Sequence, residues 1–155
     1  MKKSLGFAAL AAALVLSACA QYERVKDKLG NDNSTPQVSV KDGQLDIQPA
    51  ALYFHASEKD VKITWKLPAG VNLHFAKERG VVIEGEIIDK VIRGTPNSVA
   101  LDAQQREIIN CEISADGLAY TCLNRNTRPG IYKYTVRVQS GDKVLEKDPP
   151  IVNMR

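Results

Sequence analysis

The side chains able to do chemistry in this chain are few and scattered. Its histidines are His55 and His74, and its cysteines are Cys19, Cys111 and Cys122. A zinc or copper site needs three or four such ligands converging, commonly at short spacings. No such spacing occurs: Cys122 is followed by no His, and Met154 is the only methionine after Met1. The chain is therefore read as binding no metal and no cofactor. Glu84 and Glu86 stand two apart, about 7 Å along an extended strand, a spacing that could mimic a glycosidase pair. Solvated carboxylates on a strand face are far commoner, and the signatures of serine hydrolases, phosphate loops and dinucleotide folds are absent. The expectation is a protein that is not an enzyme.

Loops able to hold a partner remain. Residues 124–130 join two expected strands and carry Arg125, Asn126 and Arg128, whose guanidiniums and amide suit carboxylates or carbonyl-rich surfaces. Residues 89–105 lack a clear period, read as a long loop, and contain Arg93; long loops in compact domains are disproportionately functional. Arg93, Arg125, Asn126 and Arg128 are thus the candidate partner-binding residues, with plain solvated connectors as the alternative for each loop.

The elements that must position these loops are strands. Val61, Ile63, Trp65 and Leu67 alternate with polar residues, as do Tyr132, Tyr134, Val136 and Val138, and a period of two sends one set into a core and the other into water. Val71, Leu73 and Phe75 form a briefer run, Leu45 with Ile47 and Leu52 with Phe54 shorter pieces, and residues 81–88 a strand apolar on both faces. Asp42-Gly43, Pro68-Ala69-Gly70, Arg79-Gly80, Asp116-Gly117, Pro129-Gly130 and Gly141-Asp142 punctuate them. Many short strands with frequent turns predict an all-β fold, an antiparallel β-sandwich over residues 37–155. With 44% hydrophobic and 25% charged positions in 155 residues, the composition suits one domain.

Ahead of that domain stands an address. Lys2 and Lys3 precede an apolar stretch over residues 5–16, too short to span a bilayer, and Leu16-Ser17-Ala18-Cys19 follows. This resembles a bacterial lipobox. The resemblance implies a signal peptide over residues 1–18, diacylglycerol on the Cys19 thiol and acylation of the new amino terminus. Several acyl chains hold firmly where one would exchange. Ala20, where Asp would favour inner-membrane retention, implies sorting to the outer membrane of a Gram-negative cell, on its periplasmic face. Residues 19–36 read as a lipidated start and flexible tether, polar and turn-forming from Gly30 to Pro36, with a reach of roughly 20 to 25 Å. The full chain has 21 basic and 18 acidic residues, and loss of Lys2 and Lys3 leaves a net charge of +1, which disfavours nucleic acid as a partner.

Export also bears on the two remaining cysteines, because paired thiols usually close in an oxidising compartment. If Asp116-Gly117 is the two-residue turn of a hairpin, Cys111 and Cys122 face each other, each five positions from the turn. The same register sets Ile113 against Tyr120 on the core face. Asp116, Tyr120 and Cys122 resemble the D-x-x-x-Y-x-C pattern of immunoglobulin domains, which implies an immunoglobulin-like sandwich. In that family the partner cysteine lies many tens of residues upstream in the other sheet, whereas Cys111 is 11 residues from Cys122.

These readings favour a membrane-anchored, non-enzymatic interaction or structural module with an envelope protein as partner. The alternatives are an inhibitor or immunity protein against a cell-wall-degrading enzyme, inserting Arg125 or Arg128 into an acidic cleft, and a small-ligand carrier or enzyme.

Overall fold

The computed structural model describes residues 33–89 and 100–155. Among them lie twelve strands in two sheets that form a sandwich, and no helix long and apolar enough to cross a membrane.

The spine of the larger sheet is β10 (Gly130–Ser140). Its pleat sends Tyr132, Tyr134, Val136 and Val138 to one face, where all four are 0% exposed. Fully burying a side chain of this kind contributes about 1.5–3 kcal/mol, so this strand supplies much of the core. On one flank, β11 (Lys143–Lys147) and β12 (Pro150–Asn153) are two halves of one partner strand. Val136 faces Lys147 and Lys133 faces Pro150, so the register runs unbroken through Asp148 and Pro149. The interruption is chemical, because Pro149 and Pro150 have no N–H to donate. Gly141-Asp142 closes this hairpin with a left-handed φ of 59° at Gly141 only, as a type II′ turn requires.

On the other flank, β5 (Leu73–Phe75) and β6 (Val81–Asp89) also share β10, separated by an excursion over residues 76–80. Arg137 clasps it: Ala76 N–H donates to the Arg137 carbonyl at 3.0 Å, and Arg137 N–H donates to the Gly80 carbonyl at 2.7 Å. β3 (Leu52–Phe54) lies beside β12, and β7 (Ala100–Asp102) beside β6. Ala100 to Asp102 falls inside the stretch read as loop; three residues are too few to show a period.

The second sheet runs in the order β2 (Gln44–Gln48), β1 (Gln37–Lys41), β4 (Val61–Lys66), β9 (Ala119–Asn124), β8 (Ile108–Ile113). Asp42 and Gly43 both take left-handed φ, 51° and 77°, the requirement of a type I′ turn between β1 and β2. Across the sandwich, the Trp65 and Tyr134 rings sit 5.2 Å apart, and Trp65 Nε1–H donates to the Tyr134 hydroxyl at 3.3 Å. That bond satisfies a donor that would otherwise be stranded in the core.

Four features depart from the sequence reading. The sheets are mixed: β1 runs parallel to β4 and β3 parallel to β12. The cause is that residues 44–54 pair first with β1 in one sheet and then with β12 in the other, sealing one side of the sandwich. Second, the strand at Leu73 does not include Val71, which is 44% exposed in the turn after Gly70. Third, residues 33–36 are not free tether. Thr64 N–H donates to Ser34 O at 2.7 Å, Lys66 N–H to Pro36 O at 3.0 Å, and Tyr53 N–H to Asn33 Oδ1 at 3.3 Å. The backbone of the expected tether's end thus fills the edge of β4 before β1 begins.

The fourth concerns the Cys111–Cys122 bridge. It is present, between neighbouring strands of one sheet, and Ile113 does face Tyr120 with both packed on the core. The turn differs: Ser114 N–H donates to Ala119 O at 2.9 Å, so four residues, not two, form the connection. Both connections are centred on the same point and leave the register intact. Ladder bonds alternate from that closing pair, which makes Cys111 and Cys122 a close, non-hydrogen-bonded pair with Cα atoms 4.1 Å apart. The ladder is bulged between Ile109 and Glu112, with Asn110 at a φ of 53°. The disulfide therefore ties edge strand β8 to β9 where backbone pairing lapses. Replacing both cysteines by Ala should lower the unfolding free energy by about 1–3 kcal/mol, read as a lower urea midpoint, the entropy of a loop of roughly a dozen residues less what the hairpin itself supplies. Peptide mapping of the wild type under non-reducing conditions should recover one crosslinked pair; free thiols at both positions would contradict the bridge.

Candidate functional site

The candidate loop, residues 124–130, lies at the end of the sandwich where the described chain enters at Asn33, here the entry end. Its floor is a buried pair of amides: Asn124 Nδ2 donates to Asn153 Oδ1 at 2.8 Å and Asn153 Nδ2 to Asn124 Oδ1 at 3.1 Å. Asn124 Oδ1 also accepts Asn126 N–H at 3.1 Å. Asn126 has a left-handed φ of 48°, a conformation Asn tolerates better than most residues. Its side chain is buried, with Nδ2 donating to the carbonyls of His55 at 2.6 Å and Glu58 at 2.9 Å, while the Asn126 backbone carbonyl accepts Lys59 Nζ. Asn126 therefore pins residues 55–59 to the loop and does not face a partner. The expectation of a partner-binding amide fails there because two carbonyls distant in sequence claim it first.

The next two residues answer to buried carboxylates. Glu107, 5% exposed, takes Thr127 N–H on Oε2 and the Thr127 hydroxyl on Oε1, each at 2.6 Å. Burial pushes its acidity weaker, but the Thr127 hydrogen bonds and nearby Arg128 outweigh this and hold its pKa below the ordinary 4.5. Arg128 meets Glu86 through both guanidinium nitrogens, Nη1 donating to Oε1 at 2.7 Å and Nη2 to Oε2. This fork-on-fork pair raises the Arg128 pKa. Arg125 is exposed; its backbone N–H bonds Glu107 O at 2.8 Å and its carbonyl accepts Asp60 N–H at 3.3 Å. Of the described candidates, Arg125 presents its side chain to solvent, Arg128 is half-committed to Glu86, and Asn126 is internal. Arg93 and Cys19 lie outside the described residues.

How Glu86 comes to be there was not visible in the sequence. The β6–β10 register shifts between Lys133 and Tyr134: Ile83 faces Tyr134, Gly85 faces Lys133, and Glu86 faces Tyr132. The extra residue reverses the alternation, so Glu84 and Glu86 point to opposite faces and cannot form a carboxylate pair. Glu84 stays outside, where Lys133 Nζ at 2.5 Å and the Thr135 hydroxyl bond it and lower its pKa. Glu86 turns inward beside Tyr132, whose hydroxyl is raised to about 12 by burial and by the Glu86 charge. Gly85 is required at the bulge, since its φ is 150° and an added Cβ would stand 2.7 Å from Asp102 O. Gly130 is required beside it, because a Cβ there would stand 2.5 Å from the Tyr132 hydroxyl and 2.8 Å from Glu86 Oε1.

His55 lies at the entry end and bonds Ser57 Oγ through Nδ1 at 2.9 Å, whereas His74 lies at the opposite, distal end near Gly117. Among the described residues no three His, Cys, Asp or Glu side chains are grouped to hold a metal. The distal end also carries an open, mainly apolar depression of about 430 Å³ between His74, Phe75, Lys77 and residues 113–117. Compared with known proteins, the chain matches no family model and no curated sequence.

Two measurements probe this end. Gly130→Ala should destabilise the domain by about 1–3 kcal/mol, as overpacking does, read as a lower urea midpoint. Glu107 and Glu84 have folded pKa values below their ordinary 4.5, so they contribute stability above that pH which is lost as pH falls through the folded values. The midpoint should therefore drop steeply on acidification below about pH 4.5, and Glu107→Gln should flatten that drop. An acid limb unchanged by Glu107→Gln would assign it to other groups.

Proposed function

We propose that the protein is a lipid-anchored module of the bacterial cell envelope that works by holding a protein partner, without catalysis. The observation that carries this reading is Leu16-Ser17-Ala18-Cys19 after a short apolar run, which resembles a lipobox and makes Cys19 the acylated amino terminus. Ala20 directs the molecule to the periplasmic face of the outer membrane in this reading. The side chains best suited to acid–base work support the non-catalytic part: Glu84 is bound to Lys133 and Thr135, Glu86 to Arg128, and Glu107 to Thr127. Groups so paired brace the fold, and the pKa values of Glu84 and Glu107 are pulled down, away from neutrality. The immunoglobulin-like label remains a resemblance of architecture, and fold alone assigns no activity.

The inhibitor reading asks for an arginine free to enter an acidic cleft. Arg125 meets that condition and Arg128 does not, since it would first have to leave Glu86.

Intact-mass measurement of the protein extracted from cells should show a chain starting at Cys19 and carrying diacylglycerol and an amide-linked acyl group. An unmodified Cys19, or another start, would end the anchoring argument. Cys19→Ala should leave the signal segment attached, and Ala20→Asp should move part of the protein to the inner membrane on fractionation of a Gram-negative host.

A further inference from the structure

The hairpin between β10 and β11 fixes which backbone groups of β11 are spent. Its two-residue turn makes Ser140 and Lys143 a hydrogen-bonded pair. Alternation then commits Lys143, Leu145 and Lys147 to β10 and turns the N–H and C=O of Val144 and Glu146 away from it. In the larger sheet the next place out is filled by β3 alongside β12 only. Alongside β11 no described strand is hydrogen-bonded, and unlike β8 this edge is regular, without a bulge. Val144 is 49% exposed. Beside it a groove of about 330 Å³ opens between Gly43, Gln44 and Leu45 on one side and Leu145, Glu146 and Lys147 on the other.

We propose that this edge docks an extended segment of a partner protein, in which two acidic residues flank an apolar one at spacings of two, adding a strand beside β11. The charge pattern selects that occupant. Lys143 and Lys147 lie on the same side of the strand as Leu145, two places either way. An incoming strand in register therefore sets an acid opposite each lysine and an apolar side chain opposite Leu145. Glu146 points to the other face and is engaged by Arg137 at 2.7 Å, so it does not repel the acids. Lys147 also reaches Asp46 across the groove at 3.8 Å, a long contact that a carboxylate on the incoming strand can share. A second copy of the chain fits poorly. Antiparallel self-pairing centred on Leu145 opposes Lys143 to Lys147, and centring on Val144 opposes Asp142 to Glu146; both are like-charged. The edge belongs to the distal half of the sheet, away from Asn33. That the occupant is a partner protein rests on the function proposed above.

The test uses the isotope-labelled full chain in mild detergent and the capped peptide Ser-Glu-Val-Val-Thr-Glu-Ser. Saturable amide shifts at Val144 and Glu146 are expected, with affinity roughly tenfold weaker when both glutamates of the peptide become lysine. Val144→Pro should weaken binding by a similar factor while leaving thermal stability nearly intact, because that N–H is not used by β10. The double variant Lys143→Glu with Lys147→Glu, which does not depend on the proline variant folding, should reverse the preference between the two peptides. Absence of shifts on β11, equal binding of the lysine peptide, or an unreversed preference in the double Lys143→Glu, Lys147→Glu variant overturns the proposal. Concentration-dependent dimerisation abolished by Val144→Pro would also overturn it, by giving the edge to a second copy. The mass at Cys19 is read separately, so loss of the anchor and loss of the docking edge are distinguishable.

Discussion

The sandwich depends on the alternation along β10. Four successive inward positions, Tyr132, Tyr134, Val136 and Val138, are sealed from water, and every other strand of the larger sheet is placed by pairing with β10 or with a strand that does. The Tyr134 hydroxyl ties this strand to Trp65 in the opposite sheet. Trp65 in turn faces Tyr120, whose ring meets Phe75 of β5 at 5.8 Å. Apolar packing and buried hydrogen bonds, Trp65 to Tyr134 and Asn124 with Asn153, thus hold the two sheets in a single relative setting, since a shift of one residue in β10 would exchange its tyrosines for Lys133 and Thr135.

The entry end solves a different problem. There the core stops and chain segments from several parts of the sequence must be joined without an apolar interface. Paired groups do this: Asn124 with Asn153, Asn126 with the carbonyls of residues 55 and 58, Glu107 with Thr127, Glu86 with Arg128. Each buried polar atom with a partner costs little, while each one stripped of it costs the full desolvation of the group. This end is consequently held together through its polar residues, and the loop that looked most like a binding surface is largely part of that bracing. Arg125 is exposed there with no part in these side-chain pairings.

Legibility in the sequence followed the length scale of the cause. Period-two burial in Ile63 and Trp65, and in Tyr132 to Val138, is a local signal and was readable, as were Asp42-Gly43 and Gly141-Asp142, whose φ values only certain residues adopt. The facing of Cys111 and Cys122 was readable because a four-residue connection preserves the register of a two-residue one. The bulge at Gly85 was not: Val82, Ile83, Glu84 and Glu86 keep an ordinary strand composition, and the single clue was a glycine inside it. Asn126 read as a partner-binding loop residue because its own partners lie about 70 positions away. The parallel pairings left no trace either, since a strand that changes sheets has the same alternation before and after the crossing.

The parallel pairing of β3 with β12 sets when the fold can exist. Leu52 waits for Ile151, and Phe54 for Asn153, so nearly the whole domain must be synthesised before that side closes. The spine itself begins only at Gly130. A nascent chain that has emerged as far as Pro129 contains the hairpins β1–β2 and β8–β9 but not Tyr134, the ring that Trp65 meets across the sandwich. Long-range pairings of this kind are late and slow, and they leave the unfinished polypeptide open and threadable. A transporter that passes chains in extended form across a membrane would engage this one before it had any native core to undo.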